Sequence, residues 1–441
     1  METTRSIASH PSARSVWAAT APSAPDTPPL REACQTDVLI IGGGFTGLST
    51  ALHLAEGGAS VRVLEAHEPG WGASGRNGGQ VNPSLKHDPD ELVQQLGDRA
   101  EPLIRAIAGS ADLVFDLIAR HHIECHAVRG GWLQVSYNEA SVPALHRRAE
   151  QWRRLGAPVE MLDQAGVAYR AGTSVFQGGW LDKRAGSIQP LAYARGLTRA
   201  ALDAGACIHG SSPVVRLQRQ GARWQATVAN GATVMADQVV LATNGYSDSL
   251  WPGLAQTVLA ANSFIVATRP LDAAADDILA HGETLSTAQR LLLYLRKDHE
   301  GRLLLGGRGL FADPRSPVDF AHLERSLMLL YPALAPLEFE YRWAGRIAIT
   351  RDFMPHVHQP APGLTIALGY NGRGVGAATA MGLHVAKLLS GGAVHEFPFP
   401  ITGMSTIPLH RLQRFYISTG VAWYGLLDKI EALSRLRKPG P

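Results

Sequence analysis

Three glycines near the start of the chain have the spacing of a dinucleotide-binding loop. Gly42, Gly44 and Gly47 satisfy the pattern G-x-G-x-x-G within the stretch DVLIIGGGFTGLSTALHLAE. In such a loop the first glycine allows a tight turn, the second lets a pyrophosphate approach the backbone, and the third lets a helix pack closely on a strand. Phe45 and Thr46 open the helix that follows, and the free N–H groups of its first turn would face the phosphates.

The residues around this loop supply the elements that must position it. Residues 38–41 are an apolar run typical of a strand buried on both faces, and the apolar residues after the glycines recur at helical spacing. A second apolar strand, 61–64, ends at Glu65, which Ala66 follows. An acid about 20 residues past the glycines lies where a ribose hydroxyl needs an acceptor, and its charge would repel a 2′-phosphate. The pattern predicts a unit that binds a dinucleotide with a free ribose.

Composition and charge are those of a globular protein. The 441 residues, of which 45% are hydrophobic, suggest roughly three domains with sizeable cores. The formal net charge of +3 gives no footprint for nucleic acid, so no nucleic-acid partner is expected. The scattered cysteines Cys34, Cys125 and Cys207 argue against a disulfide scaffold and favour a reducing, cytoplasmic compartment. No apolar run approaches the roughly 18 residues of a membrane-spanning helix.

The two ends of the chain differ in composition from its middle. Residues 1–35 are rich in serine, alanine and proline, which predicts an irregular extension on the surface. Residues 401–441 predict a helical tail that contains the apolar stretch 415–430. Such a helix either lies in a membrane interface or packs its aromatic face on its own domain. We favour packing, so membrane association is not expected.

Three later segments each contain a loop or turn that is rich in glycine and small polar residues. The stretch AHEPGWGASGRNGGQ carries Ser74, Arg76 and Asn77, whose types suit further phosphate or ring-oxygen contacts. Further on, VVLATNG ends an apolar strand in a small polar turn. A third apolar strand, 365–368, precedes the glycine loop 369–374 and another predicted helix.

Between these loops the sequence predicts a helix followed by a β-meander. The helix covers residues 187–206, with Pro190 in its first turn. A tight Asn230-Gly231 turn indicates a hairpin within the meander. The predicted meander strands are 214–217, 224–228 and 233–235.

The ordered set of motifs resembles the FAD-dependent D-amino-acid oxidase-like family. The similar segments are DVLIIGGGFTGLSTALHLAEGGASVRVLEA, GWGASGRNGGQ, SIQPLAYARGL, VVLATNG, WAGRIAITRDFMP and GYNGRGVGAATAMG. They cover residues 33–440, and together they most resemble the gamma-glutamylputrescine oxidoreductase-like branch of that family.

The resemblance implies a two-domain α/β flavoprotein, with one domain inserted into the other. A Rossmann-like FAD-binding domain with a parallel sheet and a β-meander would be assembled from residues 36–85, 180–248 and 346–400. A substrate domain built on an antiparallel sheet would be inserted as residues 86–179 and 249–345.

The resemblance also implies a set of FAD contacts. The first glycine loop would hold the pyrophosphate, Glu65 the adenosine ribose, the backbone near Val214 the adenine, and the second and last glycine loops the flavin. The predicted cofactor residues are Gly42, Gly44, Phe45, Thr46, Gly47, Glu65, Ala66, Ser74, Gly75, Arg76, Asn77, Gly78, Gly79, Val214, Ala242, Thr243, Asn244, Gly369, Asn371, Gly372, Arg373, Gly374 and Val375.

The chemistry implied is oxidation of a C–N bond in a small amine or amino acid. The candidate substrates are gamma-glutamylputrescine-like, N-methyl or D-amino acids, and the resulting imine would hydrolyse. Oxygen or a respiratory carrier would reoxidise the flavin. Two alternatives stay open: a nicotinamide-dependent dehydrogenase, and a flavin-bearing assembly or sensor protein without turnover. Under the leading hypothesis the flavin would supply the difficult chemistry, so no Ser-His-Asp set or carboxylate pair is needed, and no metal is expected.

Two departures from the family pattern bear on the site. Some members attach FAD through a cysteine in the segment that corresponds to WAGRIAITRD, which contains none here, so we predict noncovalent FAD. Where a lysine of some members holds the substrate carboxylate, this chain has Gly376, and GRLLLGGRG has leucines where another lysine is associated with oxygen activation.

The candidate substrate and catalytic residues are arginines and tyrosines near these loops. Arg373 would bind a substrate carboxylate or tune the flavin, or else pair with an acid. Arg346 and Arg308 would add a carboxylate clamp, with an ordinary ion pair as the alternative. Tyr246 and Tyr370 would line an aromatic pocket or simply pack in the core.

The stretch HHIECH, residues 121–126, has the residue types of a metal cluster. His121 and His122 end a predicted helix, where positive charge suits the helix dipole. Since the following chain is extended, the i, i+4 geometry of His122 and His126 is lost, and no metal site is predicted.

Overall fold

The computed structural model describes residues 15–289, 292–309 and 312–413, which form two eight-stranded sheets and a small two-stranded one. The helices are α1 (Val16–Thr20), α2 (Phe45–Glu56), α3 (Pro89–Leu96), α4 (Ala100–Ala108), α5 (Ser110–Arg120), α6 (Val142–Arg154), α7 (Gln164–Ala171), α8 (Pro190–Asp203), α9 (Ala321–Leu330) and α10 (Gly374–Leu389). The strands are β1 (Cys34–Ile41), β2 (Val61–Leu64), β3 (Gln80–Val81), β4 (Trp132–Ser136), β5 (Val159–Leu162), β6 (Gly178–Asp182), β7 (Gly186–Ser187), β8 (Cys207–His209), β9 (Val214–Gln220), β10 (Arg223–Val228), β11 (Thr233–Leu241), β12 (Leu259–Thr268), β13 (Thr284–Thr287), β14 (Leu293–Lys297), β15 (Leu303–Arg308), β16 (Phe339–Ile349), β17 (His356–Ala361) and β18 (Leu364–Leu368).

The first sheet has a parallel centre, as predicted. Its strands run in the order β17-β18-β11-β1-β2-β8, and β18, β11, β1, β2 and β8 are mutually parallel. The central strands are apolar on both faces because helices cover one face and the β-meander β9-β10-β11 covers part of the other. The predicted α/β fold class is therefore confirmed.

The local elements that frame the glycine loops also agree with the sequence pattern. The structure has α2, β2, α8 and α10 where helices and a strand were predicted, with Pro190 as the first residue of α8. The meander strands are longer than predicted, since backbone pairing extends β9 and β11 beyond their apolar residues.

The second sheet is antiparallel except for one pair. Its order is β16-β12-β15-β14-β13-β4-β6-β5, and only β13 and β4 pair in parallel. α7 and α9 pack against it around a separate apolar core. Strands β6 and β16 run across the predicted boundaries at 179/180 and 345/346, and the domain bounds stay a prediction.

The N-terminal segment is more ordered than its composition suggested. Residues of α1 form a helical turn that Ser15 caps, with its side chain accepting a hydrogen bond from the Ala18 N–H at 3.1 Å. Val16 and Trp17 are 0% and 1% exposed. The expectation of an irregular surface extension is thus wrong for this turn, because the apolar side chains of Val16 and Trp17 are buried in a core.

The C-terminal tail is described only in its first part. Residues 401–413 contain a 3-10 turn, His410–Leu412, and Gln413, the last described residue, is α-helical. The apolar stretch 415–430 lies outside the described residues. Among the residues that the structure describes, no helix has the length and apolar character needed to cross a bilayer.

Candidate active site

Four parallel strands of the first sheet end at one edge, and a predicted cofactor residue follows each. The strands are β1, β2, β11 and β18, and the residues that follow them are Gly42, Glu65, Ala242 and Gly369. Hydrogen bonds join these turns: the Gly42 N–H donates to the Leu64 carbonyl and the Gly369 N–H to Asn244 Oδ1, both at 2.9 Å. Ligands of open α/β sheets bind at this edge.

The first glycine loop has a geometry that only glycine permits at two positions. Gly42 has φ +111°, and a Cβ there would lie 2.9 Å from the Ala242 carbonyl oxygen. A Cβ on Gly47 would lie 2.0 Å from the Gly42 carbonyl oxygen. The helix α2 begins directly after Gly44, which provides no side-chain cap, so the N–H groups of its first turn lack partners within the helix.

Two side chains attach neighbouring segments to this loop. The Glu65 carboxylate accepts hydrogen bonds from the Gly43 N–H at 2.7 Å and the His67 N–H at 2.9 Å. These bonds fix the carboxylate beside the loop and leave lone pairs free for a ribose hydroxyl. Ser74 Oγ accepts from the Phe45 N–H at 2.9 Å, so the second glycine loop, residues 70–79, contacts the start of α2.

A cleft lies between the second glycine loop, the start of α10 and the second sheet. Its empty space, including the part open to solvent, is about 1270 Å³. The predicted residues that line it are Arg76, Asn77, Gly78, Arg308, Arg346, Asn371, Gly372, Arg373, Gly374 and Val375. The structure thus brings four separate sequence segments to one cavity.

The cleft contains several cations. Arg346 pairs with Asp313 at 3.0 Å, whereas Arg373 donates to Ser84 Oγ at 2.7 Å and packs over the Trp132 ring at 4.8 Å. Burial, with Arg148 nearby, lowers the pKa of Arg373, and the guanidinium stays charged at neutral pH.

Lys86 is the least compensated of these cations. It lies between β3 and α3, lines the cleft, and its ammonium makes no hydrogen bond or ion pair with a described residue. Burial, followed by the charges of Arg373, Arg308 and Arg148, lowers its pKa from 10.5 to about 8. The cleft therefore has a surplus of positive charge.

A tyrosine and a serine contribute hydroxyl groups to the wall that the second sheet forms. The hydroxyl groups of Tyr294 and Ser263 lie 2.8 Å apart. Burial raises the pKa of Tyr294, so the hydroxyl keeps its proton. Its ring passes close to Gly78 and Gly306, where a Cβ would lie 2.6 Å and 2.0 Å from the ring. The two glycines make room for an aromatic side chain between the second glycine loop and the sheet.

Neither predicted tyrosine lines the cleft, so of the two alternatives for these residues the structure favours packing over an aromatic pocket. Tyr370 is 5% exposed, and its hydroxyl lies 2.5 Å from Thr46 Oγ1 beside the first turn of α2. The Tyr246 ring packs against Trp71, and its hydroxyl accepts from the Arg346 N–H at 3.3 Å. Both tyrosines pack behind the residues that line the cleft.

The remaining predicted cofactor residues lie beside the first two glycine loops. Thr243 Oγ1 is 2.7 Å from Ser247 Oγ, within the turn after β11. Val214 begins β9 two residues after Ser212, whose N–H donates to the Glu65 carbonyl at 2.8 Å. Ala66, Gly75 and Gly79 belong to the chain that runs from Glu65 to β3.

Sequence reasoning missed Lys86, Tyr294 and Ser263. Lys86 follows the second glycine loop by a few residues but carries no motif. Tyr294 and Ser263 lie in ordinary apolar strands, where periodicity gives no sign of a site. The only available signal was Gly306, because a glycine inside a strand often marks the close approach of another group.

The histidines of HHIECH have no shared geometry. His121 follows α5 as its C-cap, and His126 stacks on His299 with ring centroids 3.6 Å apart. Within the described ranges, no group of three or more His, Cys, Asp or Glu side chains is placed to hold a metal ion.

Comparisons with known proteins agree on one family. The family model described as FAD dependent oxidoreductase matches residues 37–388. The probable oxidoreductase OrdL of Haemophilus influenzae is 32% identical over 91% of this chain and 94% of its own. The gamma-glutamylputrescine oxidoreductase of Escherichia coli is 31% identical over 91% of this chain and 95% of its own.

Solved structures show the same fold. Glycine oxidase from Geobacillus kaustophilus superposes with a TM-score of 0.70 at 23% identity, covering 82% of this chain and 96% of that one. L-proline dehydrogenase from P. horikoshii gives 0.70 at 20% identity, covering 82% of this chain and 95% of that one.

Proposed function

We propose a substrate class for this chain, which belongs to the family of FAD-dependent oxidoreductases: a small amine or amino acid that carries a carboxylate and is oxidised at its C–N bond. The observation that carries the proposal is the surplus of positive charge in the cleft, above all the ammonium of Lys86 beside the Arg373 guanidinium. Neighbouring like charges raise one another's energy, and an anion between them relieves that cost.

The described residues fit FAD. A Cβ on Gly44 would lie 3.0 Å from Ser74 Oγ, so a glycine leaves open the space that a pyrophosphate needs at the start of α2. Glu65 lies beside that loop with acceptor capacity for a ribose. When bound, FAD supplies the acceptor for the two electrons and the hydrogen that the substrate loses.

The residues of the cleft would bind and orient the substrate. Its carboxylate would pair with Lys86 and Arg373, near the positive end of α10. The hydroxyls of Tyr294 and Ser263 would hydrogen-bond the amine end. Because the amine must lose its proton to react, the surrounding cations also help by favouring its neutral form. The imine product would then hydrolyse in water to a carbonyl compound and a freed amine.

The names of the similar proteins support this choice. Gamma-glutamylputrescine oxidoreductase and glycine oxidase are both named for amine substrates. The family match also sets aside the nicotinamide-dependent alternative. Reoxidation by oxygen or by a respiratory carrier, and a cytoplasmic location, remain part of the proposal.

The experiment that tests the proposal is the anaerobic absorption spectrum of the purified protein with paired amines. The pairs are gamma-glutamylputrescine with putrescine and glycine with methylamine, and sarcosine, pipecolate and D-amino acids extend the set. We expect the carboxylated member of a pair to bleach the flavin much faster. Faster bleaching by the member without a carboxylate would refute the proposal. Readmitting air afterwards distinguishes an oxidase, whose flavin is reoxidised by oxygen, from a dehydrogenase.

We expect the FAD to be noncovalent. The segment 343–352 contains no cysteine, and all three cysteines of the chain lie elsewhere. Denaturation in acid followed by filtration should release all of the flavin into the filtrate. Flavin that stays with the precipitated protein would contradict this prediction.

An Arg373→Ala variant should keep its FAD and bind carboxylated amines less tightly. Arg373 contributes a cation to the cleft, but it also precedes α10 and packs over Trp132, so some loss of stability is expected as well. We expect KM for a carboxylated amine to rise about tenfold, as the loss of about 1.4 kcal/mol requires. Unchanged kinetics on such substrates would count against the assigned role.

A further inference from the structure

The backbone carbonyls at the end of the second glycine loop are held by buried indoles. Trp343 Nε1 donates to the Arg76 carbonyl at 2.9 Å, and Trp17 Nε1 donates to the Asn77 carbonyl at 2.8 Å. Trp343 belongs to β16 of the second sheet, whereas Trp17 belongs to the N-terminal turn α1, which lies 60 residues away from Asn77 along the chain.

A buried arginine holds the next part of the loop. Arg296 donates to the Ile188 carbonyl at 2.5 Å and, at the long limit of a hydrogen bond, to the carbonyls of Gly78 and Gly79 at 3.5 and 3.4 Å. Its guanidinium also lies 5.4 Å from the centre of the Trp17 ring. Four successive carbonyls are therefore directed to the buried side of the loop, away from the cleft.

The direction of the Asn77 carbonyl determines the direction of the Gly78 N–H. A trans peptide is planar, and its C=O and N–H point in opposite directions. Because Trp17 holds the Asn77 carbonyl on the buried side, the Gly78 N–H points to the other side, and Gly78 lines the cleft. No acceptor among the residues that the structure describes bonds this N–H.

We propose that Trp17 is a positioning residue of the FAD site, which orients the Asn77–Gly78 peptide so that the Gly78 N–H donates to the bound flavin. The N-terminal turn is then part of the cofactor site, although it lies far from every glycine motif. The proposal rests on membership in the FAD-dependent family and does not depend on the substrate class.

The N-terminal turn is anchored well enough to serve this role. Gln189 Nε2 donates to the Trp17 carbonyl at 2.9 Å, and the Trp17 ring meets Trp343 edge to face at 5.9 Å. Val16 and Trp17 share an apolar cluster with residues of α8 and the second sheet: Leu191, Ile265, Ala267, Leu304 and Trp343. The indole N–H is thus fixed by packing on all sides.

Trp17→Phe tests the proposal, because it keeps an aromatic ring and removes the N–H donor. Trp224→Phe is the matched control: Trp224 is 2% exposed in the β-meander, and its Nε1 donates to the Pro362 carbonyl at 3.1 Å. Each variant loses one buried indole–carbonyl hydrogen bond, so a purely structural effect would be similar in both. The readouts are the FAD dissociation constant of the apoprotein and the two-electron reduction potential, both measured without substrate.

We expect Trp17→Phe to weaken FAD binding and to lower the reduction potential. An N–H donor stabilises the reduced flavin, which carries negative charge, more than the oxidised one, and each tenfold loss of that preference lowers the potential by about 30 mV. Trp224→Phe should change neither the FAD dissociation constant nor the reduction potential. The melting temperature should fall by a similar amount in both variants. A parent-like potential and dissociation constant in Trp17→Phe would overturn the proposal.

A second measurement needs no variant, in case Trp17→Phe does not fold. Residue-resolved hydrogen exchange on the unaltered protein should show the Gly78 amide slowed when FAD is added to the apoprotein. If the Gly78 amide exchanges at the rate of an unprotected amide in the holoenzyme, the proposal is refuted.

Discussion

A Gly44→Val variant is expected to fold and to lose its FAD. Gly44 has φ −88° and ψ −176°, an extended conformation that valine adopts without strain. The new side chain would lie against Ser74 Oγ, 3.0 Å from the Cβ position, on the side where the backbone must approach a pyrophosphate. Flavin occupancy should therefore fall by more than about tenfold, a loss of at least 1.4 kcal/mol in binding.

The measurement is the flavin-to-protein absorbance ratio of the purified variant, together with its melting temperature as apoprotein. Gly403→Val is the matched control, because no heavy atom of the residues that the structure describes lies within 4 Å of a Cβ at that position. The control should retain FAD and stability. Full occupancy in Gly44→Val would mean that this loop does not hold the pyrophosphate. Gly47→Ala makes a poor substitute, since its Cβ would lie 2.0 Å from a carbonyl oxygen and the fold itself would fail.

The second large effect is expected from Lys86→Met, which removes from the cleft a cation that has no ion-pair partner among the described residues. A hydrogen bond to a charged group contributes about 1.5–3 kcal/mol, so KM for carboxylated amines should rise by about 10- to 100-fold. Amines without a carboxylate should be affected little. Lys183→Met is the control, since Lys183 is exposed and pairs with Glu160 at 3.2 Å outside the cleft. Equal effects on amines with and without a carboxylate would show that Lys86 does not bind the carboxylate.

The same lysine predicts a pH dependence with a definite sign. Its pKa is lowered to about 8, so it is a cation below that pH and becomes neutral above it. Attraction of a carboxylate is therefore complete at neutral pH and is lost as the pH rises through 8. A bound carboxylate raises this pKa, so the fall should appear at lower pH in kcat/KM than in kcat. Lys86→Met should lack this limb.

Lys86 should also cost the protein stability at neutral pH. Because its folded pKa lies below the unfolded value of 10.5, folding disfavours its charged form, and the penalty is complete below about pH 8. Lys86→Met should accordingly raise the free energy of unfolding at neutral pH while it weakens substrate binding. A variant that loses both stability and affinity would indicate a structural role instead.

The sequence by itself determined the cofactor end of this protein. The strand β1, the glycines 42–47, the helix α2 and the acid Glu65 all lie within one stretch of contiguous chain. Their spacing alone therefore fixes their relative positions, since a strand, a tight turn and a helix have standard dimensions. The confirmed fold class follows from patterns of this local kind, whereas the FAD dependence was implied by the resemblance of the whole ordered set of motifs to one family.

The tertiary structure decided everything that depends on which side of a segment faces the cleft. Tyr370 and Tyr246 adjoin the predicted loops, yet their side chains pack behind these loops and do not line the cleft. Lys86 and Tyr294 line the cleft, although the segments that carry them contain no motif. Trp17 contacts the second glycine loop from a position 60 residues away along the chain. Such contacts join residues that are distant in sequence. The packing of the two sheets and the N-terminal turn sets the distances between these residues, so local sequence spacing carries no information about the contacts.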